Sequence, residues 1–81
     1  MELRDTVDLM VSDDFRDRFK AEYYQLKIRY DKLQEIIKRV NEGTSNFNLL
    51  CPVDLYDMQL DYMYNYMKIL ESRASIEKID L

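Results

Sequence analysis

The stretch Phe19–Val40 reads FKAEYYQLKIRYDKLQEIIKRV, and it decides the fold. Phe19, Tyr23, Leu26, Tyr30, Leu33, Ile37 and Val40 recur in alternating steps of four and three, which keeps them on one face of a helix. The result is a coiled-coil-like seam. Upstream, Ser12-Asp13-Asp14 offers three side chains suited to capping a helix N-terminus. Downstream, Lys38 and Arg39 suit the negative end of a helix, and Gly43, the only glycine, suits the left-handed turn that closes one. These signals predict helix one over 13–42.

The same logic extends outward in both directions. Residues 43–51 (Gly-Thr-Ser-Asn-Phe-Asn-Leu-Leu-Cys) read as a loop whose Phe47, Leu49 and Leu50 fold back over the open helix ends. Pro52 fits a first helical turn, and Asp54 adds negative charge where the helix dipole favours it, so helix two is predicted over 52–78. Its seam is Val53, Tyr56, Leu60, Met63, Met67, Leu70 and Ala74, which can face helix one at a crossing of roughly 20°. Before helix one, Leu3, Val7, Met10 and Val11 predict a short helix over 1–11. The expected fold is all-α: one domain over 1–81, built of two long antiparallel helices in a hairpin with a short N-terminal helix.

Helix two carries a second stripe, Leu55, Gln59, Tyr62, Tyr66, Ile69, Arg73 and Ile76, about 100° around from the seam. A hairpin has nothing to cover it, and a chain of 81 residues sits near the lower size limit for a self-sufficient core. The stripe is therefore expected to be the interface of a homo-oligomer. Gln59 and Arg73 would fix its register, and the leading helix would complete it.

Composition removes most chemistry. The chain has no His, one Cys and one Gly, which excludes imidazole-based triads and zinc sites and leaves no glycine-rich phosphate loop. Asp13, Asp14, Asp17, Asp57 and Asp61 fall on faces expected to be wet, where nothing raises a carboxyl pKa for acid–base work. No catalytic residue, metal ligand or cofactor is expected, and the chain is not read as an enzyme. The unpaired Cys51 suits a reducing compartment, and the absence of a signal-peptide pattern or a long apolar run makes the cytoplasm the expected location. A net charge of −4 argues against a nucleic-acid strand as partner.

Against that background tyrosine stands out, at 23, 24, 30, 56, 62, 64 and 66. Tyr23, Tyr30 and Tyr56 belong to the seams. Tyr24 does not, and Lys20 and Lys27 lie four residues before and three after it, on the same flank. An aromatic face between two ammonium groups can stack a base and pair with a phosphate. From Arg16 to Arg39 there are eight basic and four acidic residues, a local excess of +4 inside an acidic chain. The alternative is that these lysines simply run over a solvated face, with Asp31 one turn beyond Lys27 to pair it.

Particular residues also carry a family resemblance. Phe19-Lys20-Ala21-Glu22-Tyr23 through Arg29-Tyr30-Asp31-Lys32-Leu33, Cys51-Pro52, Gln59-Leu60, Tyr62-Met63, Tyr66-Met67, Ile69-Leu70-Glu71, Arg73-Ala74 and Ile76-Glu77 carry it, and it covers about residues 15–81. They resemble the small helical-hairpin proteins of tailed phages and prophages related to a crAss-phage hairpin protein. The resemblance implies a phage origin and a hairpin fold. A similar architecture serves phage anti-CBASS and anti-Thoeris sponges, oligomers that trap cyclic nucleotide or cyclic ADP-ribose immune signals between protomers. Independently of that analogy, Lys20, Tyr24, Lys27 and Arg29 supply the cationic and stacking groups that such ligands demand, and Arg73 is expected to join them from a neighbouring protomer.

The function expected on these grounds is counter-defence in the host bacterial cytoplasm, by sequestering a nucleotide-derived immune signal without cleaving it. Two rivals stand beside it. One is a protein-binding inhibitor of a bacterial defence enzyme, of anti-CRISPR, anti-Thoeris or anti-CBASS type, anchored by Tyr62, Tyr64 and Tyr66. The other is a structural coiled-coil phage protein.

Overall fold

The computed structural model describes residues 1–43 and 48–81, and all regular structure among them is helical. A 3-10 turn, Leu3–Thr6, runs into the single turn of α1, Val7–Met10; α2 spans Phe15–Asn41 and α3 spans Val53–Glu77. The leading segment is therefore two short turns of different pitch. The Thr6 hydroxyl donates to the Leu3 carbonyl at 2.7 Å, and such side-chain bonds compete with the regular helical ladder.

Each boundary of the long helices has a local cause. The Asp14 carboxylate accepts the Arg16 backbone N–H at 2.9 Å and caps α2. At the other end Gly43 adopts φ 69°, and its N–H donates to the Val40 carbonyl at 3.1 Å. Pro52, at φ −58° and ψ 145°, stands just before α3, and its carbonyl accepts the Leu55 N–H at 3.1 Å. α3 ends on Lys78, whose φ of 57° and ψ of 46° place a side-chain-bearing residue in the left-handed region. That turn sends the chain back, so the Ile79 N–H reaches the Ala74 carbonyl at 2.8 Å and Ile79 joins the core.

The two long helices run antiparallel along their seams. Phe19, Tyr23 and Ile37 of α2 and Met67, Leu70 and Ala74 of α3 are buried, and the remaining seam residues are half-buried. The contacts step in opposite directions along the two helices. Arg73 lies over Phe19, Tyr23 bonds Glu71, and Tyr30 meets Tyr64. Burial is densest where Phe19 and Tyr23 meet Met67, Leu70, Ala74 and the returning Ile79.

The N-terminal arm, residues 1–12, packs on α2 and not on α3. Within the chain it therefore leaves the second stripe of α3 uncovered. The reason lies in what α2 offers on its other side. Ala21 is small enough for close approach and becomes 2% exposed, and the Gln25 amide donates to the Thr6 hydroxyl at 2.9 Å, satisfying a group that is fully buried. The connecting loop departs from its reading. Leu50 is 97% exposed and covers nothing, Leu49 is half-buried, and Phe47 lies outside the described residues.

The left-handed Lys78 gives a direct test. Glycine adopts this conformation without the clash of a Cβ, so Lys78→Gly should raise stability by about 0.5–1 kcal/mol, after allowing for the greater freedom of glycine in the unfolded chain. Thermal unfolding should show this as a rise of a few degrees in Tm. A fall would mean that the Lys78 side chain holds the turn.

Candidate functional site

The flank of α2 that lies between the arm and α3 carries the groups best suited to a ligand. Tyr24 is half-buried there, its ring edge-on to that of Tyr23 with centroids 5.7 Å apart and planes at 69°. One side of the phenol thus rests on the core. A cavity of about 270 Å³ opens beside it, lined by Met1, Tyr24, Lys27, Ile28 and Asp31. Lys27 Nζ lies 3.7 Å from the Asp31 carboxylate, and both side chains are more than half exposed. An ion pair that long and that wet is worth little, so the ammonium can exchange Asp31 for an anionic ligand at small cost. The cavity combines an aromatic ring, a cation, a hydrogen-bond acceptor and apolar surface from Met1 and Ile28. Such a set can hold a planar, anionic heterocycle.

Tyr24 and Lys27 come together in this way, but Lys20 and Arg29 of the same chain do not line the cavity with them. Lys20 lies one turn before Tyr24 on the same side of α2 and does not line the cavity. Arg29 is exposed and projects about 140° away from Tyr24, at roughly 100° per residue. Arg73 is engaged within its own chain. Its guanidinium stacks 4.9 Å from the centre of the Phe19 ring and pairs with Glu77 at 2.9 Å. The sequence spacing was informative for the i, i+3 neighbours Tyr24 and Lys27 and misleading for Arg29, which is near in sequence but on another face.

A second polar cluster adjoins the first and was not anticipated. Tyr23 donates its hydroxyl to Glu71 at 2.8 Å across the hairpin, Lys68 contacts the same carboxylate at 3.3 Å, and the Lys68 ammonium sits 5.2 Å over the Tyr64 ring. Tyr64 in turn meets Tyr30 at 6.3 Å. The spacing of Tyr64, Lys68 and Glu71 on α3 was a readable signal of this cluster. Burial, reinforced by the Glu71 carboxylate, pushes the Tyr23 phenol up to about 12. The Tyr23 hydroxyl bond, aided by Lys68 and Lys27, holds the Glu71 carboxyl below its ordinary range.

A larger hollow of about 340 Å³ lies between the helices near Gln34, Ile37, Asn41 and Leu60. Among the described residues that line it there is no aromatic ring, so it suits the expected chemistry less well despite its size. The seven stripe residues of α3, Leu55, Gln59, Tyr62, Tyr66, Ile69, Arg73 and Ile76, are all exposed. Two of them also serve the hairpin, because Tyr66 donates its hydroxyl to Glu22 of α2 and Arg73 covers Phe19.

The Tyr23–Glu71 pair sets a pH dependence with a definite sign. A phenol whose pKa is raised on folding contributes stability in full below its unfolded value near 10, and that contribution is lost as pH rises toward 12. A carboxylate held low contributes above its ordinary pKa and loses that contribution as pH falls through the folded value. Tyr23→Phe should cost about 1–2 kcal/mol at neutral pH. It should also flatten both limbs of a denaturation-versus-pH profile, and unchanged limbs would show that the bond contributes nothing.

No curated protein and no solved structure matches this chain. A family model described as Sequestin matches residues 13–76, a span that takes in all of α2 and nearly all of α3 and leaves the arm outside. The family name suggests a sequestering, binding protein. With well over half of its residues matched, the chain belongs to the Sequestin family.

Proposed function

We propose that this protein is a phage-encoded counter-defence protein that sequesters a nucleotide-derived immune signal without cleaving it. The observation that carries the reading is the cavity beside Tyr24 and Lys27, in a chain whose family is named for sequestration. A base stacks on the open face of Tyr24, its phosphate replaces Asp31 at the Lys27 ammonium, and Met1 and Ile28 close over the apolar edge. Asp31 is then free to accept a hydrogen bond from a ring N–H or exocyclic amine. Nothing in this arrangement attacks or protonates the ligand. Tyr24 stacks, Lys27 pairs, and the expected outcome is retention.

A volume of about 270 Å³ lies just below the roughly 300–1,000 Å³ typical of small-molecule sites, so one cleft accommodates about one nucleotide unit. Cyclic dinucleotides, cyclic trinucleotides and cyclic ADP-ribose isomers all present such a unit. The host cytoplasm, where such signals act, is the proposed location, and no described helix is long and apolar enough to cross a membrane. The exposed tyrosines Tyr62, Tyr64 and Tyr66 favour a second reading, inhibition of a defence enzyme by direct contact, because tyrosine anchors many protein interfaces.

Calorimetric titration with these nucleotides separates the two readings. At least one ligand should bind and be recovered intact, and Lys27→Glu should weaken it tenfold or more while circular dichroism stays unchanged. The Lys27 side chain is half exposed, so its reversal should leave the fold alone. Silence across the panel, or equal binding by the variant, would overturn the assignment.

A further inference from the structure

The outward face of α3 has a regularity that the hairpin does not use. Leu55, Tyr62, Ile69 and Ile76 are spaced seven residues apart and are 53%, 70%, 60% and 81% exposed. Strict sevenfold spacing keeps a line of side chains in register with a second helix over many turns, and single exposed apolar residues have no need of it. The line runs nearly the length of α3, about 37 Å at 1.5 Å per residue. The arm, the only other described element near the hairpin, lies against α2.

The charges along this line identify the partner. Asp54 and Asp61 each stand one position before a line residue, and so does Lys68; Arg73 stands four positions after Ile69. In a parallel pair of α3 helices these flanks meet with an offset of five residues, so Lys68 of one copy would face Arg73 of the other, twice. In an antiparallel pair the flank carrying Asp61 and Lys68 meets its own copy running the other way. Asp61 then faces Lys68 on both sides of a two-fold axis. The same register sets Tyr62 of one copy between Tyr66 and Ile69 of the other, and Leu55 between Arg73 and Ile76. Like charges oppose the first arrangement, and two opposite-charge contacts favour the second.

From this juxtaposition we infer that the outward face of α3 binds a second copy of the same chain, antiparallel, through Leu55, Tyr62, Ile69 and Ile76 with Asp61 facing Lys68. The contact is isologous, so it closes at two copies and leaves no line exposed to propagate. It does not depend on the nucleotide reading, since neither Tyr24 nor Lys27 takes part.

The test uses the full chain without nucleotide. Sedimentation should show a dimer, and Ile69→Glu should give a folded monomer, because Ile69 is exposed and lies off the hairpin seam. Asp61→Lys or Lys68→Asp alone should raise the dissociation constant about tenfold or more, and the double exchange should restore it. Cys51, exposed and the only cysteine, reports orientation directly. Nitroxides attached there should lie roughly 40 Å apart in the antiparallel pair, whereas a parallel pair would bring them to about the 10 Å spacing of the helix axes. A wild-type monomer at high concentration, a double exchange that fails to recover, or a short spin–spin distance would each overturn the inference. None of those results bears on whether nucleotide binds, which is read separately by titration of the Ile69→Glu monomer.

Discussion

The structure depends on one helix being covered from two sides. α2 presents Phe19, Tyr23 and Ile37 to α3, while Ala21 and Gln25 face the arm, where Thr6 is fully buried. Small domains have little apolar area with which to offset the entropy of ordering, so a helix used on two faces makes more of a short chain. It also leaves a narrow flank of α2 between its two covers, and Tyr24 and Lys27 occupy that flank. The cleft is a consequence of how α2 is shared.

Much of this was legible from periodicity. The seam residues of both helices are buried or half-buried, and the second stripe of α3 is exposed throughout, because the alternation of three- and four-residue steps reports directly on which face meets a partner. Less legible were features that depend on a single local bond. The arm attaches through a threonine hydroxyl and a glutamine amide, and neither side chain has an apolar period to betray it. Ile79 enters the core only because Lys78 turns left-handed, at a place where glycine would be the expected residue.

The candidate site was legible to the extent that it is local. Tyr24 and Lys27 are helix neighbours, so their contiguity followed from spacing alone. Glu71, Lys68 and Tyr64 join the same region from α3, and such convergence is decided by the crossing of two helices, which a pattern along one of them does not encode. Arg73 shows the converse. A cation that appears available for a ligand is held by stacking on Phe19 and by Glu77, interactions that only the folded chain brings about.

The arm has a consequence for the shape of the cleft. It lies outside the span that the family model matches, touches α2 without touching α3, and contributes Met1 to the wall of the cleft. Substitutions at Met1 can reshape the mouth of the cavity, because that residue lines it. The same segment that buries Thr6 against Gln25 therefore also sets part of the wall of the cleft, and a change at Met1 alters that wall without touching the Thr6–Gln25 bond.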